Sequence, residues 1–140
     1  MKILFMIGDP VLVRALRATI RESQDLTVCW RLTEYQFRKS LKRKGAADVC
    51  LLDLMMPWHH GYYPPEQPKD VQEGGIENAG IRCAGLIRAI KPDTKIIFLN
   101  PFVHGASGLE GTSFRNCKLI ARNVKVIQKT LTSALASATA

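Results

Sequence analysis

The sequence predicts an α/β fold, an open doubly wound parallel sheet in strand order 2-1-3-4-5 with helices on both faces. Two observations carry this. Short apolar runs alternate along the chain with longer amphipathic segments, which implies right-handed crossovers between parallel strands. The runs are apolar at consecutive residues, as in strands covered on both faces.

Lys2-Ile3-Leu4-Phe5-Met6-Ile7, bounded by Gly8, is the first such run. Asp9-Pro10 supplies a helix N-cap with proline at the first helical position. Leu12, Leu16 and Ile20 then recur every four residues with Arg14, Arg17 and Arg21 between them, which predicts a helix to about Ser23. Leu26–Trp30 reads as a second strand, and Thr33 with Gln36 as the capping box of a second helix. That helix carries Tyr35, Phe37 and Leu41 and ends near Gly45. Asp48–Asp53 is a third strand, apolar until its final carboxylate.

Residues 58–74 hold Pro64, Pro65 and Pro68, two Tyr and two His without apolar periodicity, so they read as a long inserted loop. Ile81, Leu86, Ile87 and Ile90 predict a helix closed by Lys91-Pro92. Thr94–Leu99 is a fourth strand. A weaker helix is expected from about Thr112 to Arg122, a fifth strand over Val124–Gln128, and a last helix from Thr130 to about Ala138. Sheets of this kind bind ligands at the carboxyl ends of their strands. Gly8-Asp9, Asp53, Asn100 and Lys129 are therefore the candidate site residues.

Composition narrows the setting. With 140 residues, 46% hydrophobic and 23% charged, the chain reads as one globular domain over 1–140. Such a chain buries roughly 70% of its unfolded surface, so its core needs no covalent staples. No apolar run approaches the roughly 20 residues of a membrane span. Met1-Lys2 leads into an apolar stretch without a small-residue cleavage pattern, so no signal peptide is expected. Cys29, Cys50, Cys83 and Cys117 lie far apart with no CxxC pair, which argues against a zinc site or a disulfide framework. The expectation is a reduced, cytoplasmic domain with no membrane partner. A net charge of +8 permits a nucleic acid, an anionic lipid or an acidic protein as partner and identifies none of them.

Asp48-Val49-Cys50-Leu51-Leu52-Asp53-Leu54-Met55-Met56-Pro57 resembles, almost residue for residue, the phosphoacceptor strand and turn of the receiver domain of bacterial two-component response regulators. Met1 to Leu16 is similar to that family's first strand and helix. Lys91–Ile97 is similar to its approach to strand four, and Val126-Ile127-Gln128-Lys129 to its fifth strand with the characteristic lysine. The resemblance covers the chain except 58–74 and roughly 101–117. It implies a flavodoxin-like (βα)5 fold and a response regulator in phosphorelay signal transduction rather than an enzyme. It further implies Asp53 as phosphoacceptor, Lys129 and Asn100 as phosphoryl-binding groups, and Asp9 with Asp53 at a Mg²⁺ site. The implied partners are a histidine kinase or phosphotransfer protein and a downstream protein. A homodimer stays open.

The sequence departs from the family at several of these positions. Ile7 and Gly8 stand where receivers carry a metal-binding acid pair, and only Asp9 is acidic nearby, so Mg²⁺ binding is expected to be weak or absent. Asn100 replaces a switching Ser or Thr, Thr130 a proline, and Val126 a rotating aromatic. The alternative function is thus a phosphorylation-independent pseudo-receiver that works as an interaction module. Arg38, Lys39, Lys42, Arg43 and Lys44 crowd the second helix, but no nucleic-acid-binding motif accompanies them, and a solvated helix face is the expectation. Adjacent His59 and His60 point apart and make a poor chelating pair. Trp58, Tyr62 and Tyr63 are expected to fold back over the inserted loop rather than to anchor a partner. The loop itself, emerging beside Asp53, suits a cover or partner surface as well as a plain surface excursion.

Overall fold

The computed structural model describes residues 1–21, 24–99 and 117–138. The strands are β1 (Lys2–Met6), β2 (Thr27–Arg31), β3 (Val49–Asp53), β4 (Lys95–Leu99) and β5 (Cys117–Ile120). The helices are α1 (Pro10–Arg17), α2 (Glu34–Lys44), α3 (Lys69–Gly74), α4 (Ala79–Ile90) and α5 (Val124–Ala138), with a 3-10 turn at Ile76–Asn78. All strand pairs are parallel, and among the described residues the sheet order is β2-β1-β3-β4-β5, as the sequence predicts.

The pleat sends alternate residues of each strand to opposite faces, and both faces are apolar. Leu4, Met6, Cys50, Leu52, Ile96 and Phe98 pack under α2 and α4, against Phe37, Leu41, Cys83 and Ile87. Ile3, Phe5, Val49, Leu51 and Ile97 pack on the other face under Leu12, Val13 and Leu16 of α1 and Ile127 and Leu131 of α5. Burying each of these larger side chains contributes on the order of 2 kcal/mol. Two buried registers thus fix β3 in the middle of the sheet, and with it the height at which Asp53 leaves it.

The helix ends follow their caps. Asp9 Oδ1 accepts from the Val11 and Leu12 amides at 3.0 and 3.4 Å, and Pro10 opens α1. α1 closes at Arg17, short of the expected Ser23: the Thr19 amide bonds Leu16 O only three residues back, and Thr19 Oγ1 donates to the same carbonyl, so the last turn tightens. Thr33 Oγ1 accepts from the Gln36 amide while Gln36 Oε1 accepts from the Leu32 amide, and Gly45, at φ +73°, ends α2. On the outer strand β2, Arg31 donates to Trp30 O at 2.7 Å and to Ser40 Oγ at 3.1 Å, while the Trp30 ring stacks on Phe5.

The carboxyl-terminal third corrects the sequence reading. Cys117–Ile120, expected within a helix, is the fifth strand, and Val124–Gln128, expected as that strand, opens α5. The β-branched Val124, Val126 and Ile127 suggested a strand. Asn123 decides otherwise: its Oδ1 accepts from the Lys125 and Val126 amides at 2.9 and 3.3 Å, an N-cap. Ile127 and Leu131, four apart, then bury one face of the helix while Lys125 stays exposed. The 58–74 segment is also more ordered than a loop, since α3 forms at its end around the buried Val71. No described helix is long and apolar enough to cross a membrane. Cys29, Cys50 and Cys83 are buried and free. Burial pushes the Cys50 thiol up to about 12, so it behaves as a hydrophobe.

Candidate functional site

β3 is buried along its whole length, so its terminal residue, Asp53, arrives at the carboxyl edge of the sheet inside the protein; its side chain is only 3% exposed. Both carboxylate oxygens are occupied. Oδ2 accepts from the Gly8 amide at 2.9 Å, just beyond β1. Oδ1 is paired with Nη1 of Arg122, which lies in the short connection from β5 to α5. The same guanidinium reaches Asp9, with Nη2 3.7 Å from Oδ2. One arginine thus bridges the two carboxylates of the site. Burial raises the Asp53 pKa above the ordinary carboxylate value. It outweighs the attraction of Arg122 and the hydrogen bonds from Gly8 and Arg122, and nearby Asp9 pushes the same way.

The turn after Asp53 is held from two sides. The first amides of α2 reach across to it, Glu34 N–H to Pro57 O and Tyr35 N–H to Trp58 O, both at 3.0 Å. From the other side the Gly80 amide bonds Leu54 O at 3.0 Å. Gly80 must be glycine, because a Cβ there would lie 2.5 Å from Asp53 O and 2.8 Å from Leu54 Cα. Glu34, fully buried, binds Arg82 of α4 (Oε1 to Nη2, 2.7 Å) and Arg38 of α2 (Oε2 to Nη2, 3.0 Å). Arg38 continues to Asp70 of α3 at 2.6 Å, and Arg82 to Gly75 O at 2.6 Å. A network of two acids and two arginines therefore ties the inserted segment to the helices beside Asp53.

Of the residues the sequence singles out, Asp53 and Asp9 meet at this site. Lys129 stands on the second turn of α5, exposed, because the segment read as its strand is a helix; the basic group at Asp53 is Arg122. Asn100 lies outside the described residues. Val126 is exposed on α5, and Thr130 Oγ1 bonds Val126 O one turn back. Trp58 folds back as expected, 6% exposed, with Nε1 donating to Pro65 O at 2.9 Å, whereas Tyr62 and Tyr63 point into solvent, 98% and 94% exposed. His59 packs edge-on against Tyr35 and His60 is exposed, so they do not form a chelating pair. Arg122 escapes the sequence reading because its signal, its place just after the fifth strand, depends on locating that strand at Cys117–Ile120.

The donor set does not fit a Mg²⁺ ion. Ile7 is buried and apolar, Gly8 has no side chain, Asp9 Oδ1 caps α1, and Asp53 is engaged by a cation and an amide. No group of three His, Cys, Asp or Glu capable of holding a metal occurs among the described residues. Octahedral Mg²⁺ needs hard anionic oxygens free to coordinate. Here a guanidinium sits between them.

No protein-family model and no curated protein sequence matches the chain. Solved structures do. The N-terminal domain of a response regulator/sensory box/GGDEF 3-domain protein from Carboxydothermus hydrogenoformans superposes with a TM-score of 0.63 at 16% identity, over 99% of this chain and 93% of that one. The response regulator domain of Thermotoga maritima CheB superposes with a TM-score of 0.63 at 14% identity, over 100% of this chain and 97% of that one. The chain has the flavodoxin-like fold of response regulator receiver domains.

Proposed function

We propose that the chain is a receiver-type signal-transduction module that acts through protein–protein contacts rather than by turnover, with Asp53 held in a permanent internal ion pair. The observation that carries this reading is Arg122 bridging Asp53 and Asp9. Phosphoryl transfer to a carboxylate needs a free oxygen aimed at phosphorus and a cation that neutralises the transferring oxygens. In this site the cation neutralises the acceptor itself, the second oxygen is taken by the Gly8 amide, and the described residues supply no acid pair to hold a metal. The site then mimics a charge-compensated state without a phosphoryl group, and a downstream protein reads the surface around it. The absence of a membrane-length helix among the described residues accords with a cytoplasmic setting, which belongs to the same proposal.

One observation favours a second reading. Asp53 ends the central strand with a backbone amide on Oδ2, and Arg122 is 26% exposed, so its guanidinium has room to move. In that reading an Asp53 oxygen attacks the phosphorus of a donor such as a phosphohistidine. The bond from phosphorus to the donor nitrogen breaks, and Arg122 shifts onto the new phosphoryl oxygens. A histidine kinase or phosphotransfer protein would then be a partner.

Intact-mass analysis after incubation with acetyl phosphate and Mg²⁺, on the native chain, Arg122→Ala and Asp53→Asn, separates the two. The first reading expects no phosphoryl adduct on the native chain. An adduct on the native chain that Asp53→Asn abolishes overturns it in favour of the second.

A further inference from the structure

On the α2–α4 side of the sheet, α2, α4 and the segment from Trp58 to Pro68 wall a cavity of about 450 Å³. Its lining is chemically divided. Leu41, Trp58, Leu86 and Ile90 make an apolar body, with Ile90 left 53% exposed. One lip, from α2, carries Arg38, Lys39 and Lys42, and the sole carboxylate of the lining, Glu66, comes from the inserted segment.

The cations differ in how far they are already compensated. Arg38 is paired with Glu34 and Asp70 and lies over the Trp58 ring at 5.9 Å, so it acts as wall. Lys39 places Nζ 5.4 Å from the Tyr35 ring centre and has no carboxylate partner among the described residues. Lys42 is exposed and has no ion-pair partner there either. An apolar cavity of small-molecule size with uncompensated positive charge on one lip is complementary to a compact apolar body with one negative end.

We propose that this cavity binds a small amphipathic carboxylate, an aromatic or medium-chain acid. Its apolar part lies on Leu41, Trp58, Leu86 and Ile90, and its carboxylate faces Lys39 and Lys42. The proposal is independent of what happens at Asp53.

The test is an NMR titration of the full ¹⁵N-labelled chain with decanoate, decanol and decylammonium, each below its aggregation concentration. The reporters are the Trp58 indole N–H, which donates to Pro65 O, and the Leu86 and Ile90 amides. Decanoate should give saturable shifts at these signals. Its affinity should exceed that of decanol by about fivefold, the share expected of exposed charge pairs. Decylammonium should bind more weakly than either. Lys42→Glu, a change at an exposed position, should weaken decanoate about fivefold and leave decanol unchanged. Three results overturn the proposal: no saturation by decanoate at these signals, decanol binding as tightly as decanoate, or Lys42→Glu leaving decanoate unaffected. Equal binding by decanol would mark the cavity as an apolar dock for a protein segment.

Discussion

Replacing Arg122 with methionine keeps most of the side-chain bulk and removes the cation from a carboxylate that is 3% exposed. Breaking a fully buried ion pair by removing one partner costs about 3–5 kcal/mol. Arg122 is 26% exposed, so water reaches one side of the pair and the loss shrinks to about 2 kcal/mol near neutral pH. For a chain of this length that lowers Tm by about 6 °C. The pH dependence follows from the raised Asp53 pKa. A carboxyl that binds its proton more tightly folded than unfolded lowers stability at high pH, and this cost fades as pH falls through its folded pKa. Without Arg122 that pKa rises further, so the gap between native chain and variant should be widest near pH 7.5 and narrow towards pH 4.5. Urea unfolding at the two pH values measures it, and a double-mutant cycle with Asp53→Asn isolates the pair. An equal loss at both pH values, with coupling below about 0.5 kcal/mol, would refute the reasoning.

Gly80→Ala places a methyl against the backbone of Asp53 and Leu54, which cannot step aside, and should cost about 3 kcal/mol in urea unfolding; a neutral result would mean that α4 shifts freely. Glu34→Gln leaves Arg82 and Arg38 without their shared buried carboxylate and should cost about 3 kcal/mol while speeding trypsin cleavage at Lys69. Unchanged cleavage would show that the network does not hold the inserted segment. Lys129→Ala should leave the Asp53 titration followed by ¹³C NMR where it is, because Lys129 is exposed on α5, whereas Arg122→Met raises it. A shift with Lys129→Ala would restore that lysine to the site.

The parts of the fold legible in the sequence are those whose signal is local. β1, β3 and β4 are dominated by apolar runs and β2 by the shorter Val28-Cys29-Trp30, α1 and α2 announce themselves by Asp9-Pro10 and by Thr33 with Gln36, and Asp53 stands out as a lone carboxylate ending an apolar strand. The fifth strand was obscured by a contest between propensity and capping. Val124–Gln128 is rich in β-branched residues, yet Asn123 starts a helix there, and the actual strand is only four residues long. Losing that strand hid Arg122, so Asp9 and Asp53 were legible as a pair but the cation between them was not. Glu34 reads as an ordinary acidic first-turn residue. Its burial depends on Arg82, 48 positions away, and no local pattern encodes that contact.

The outer strand β2 carries one more consequence. Trp30 turns its backbone groups away from β1, and an outer strand is a template on which another chain can pair. Here the Trp30 carbonyl already accepts from the Arg31 guanidinium, which is braced in turn by Ser40. A foreign strand would have to dislodge a charged group and dock beside Arg17, which lies over the Trp30 ring. Arg31 therefore covers part of the edge along which the sheet could extend. Its loss would show in the colloidal behaviour of concentrated solutions more than in the melting of the single chain.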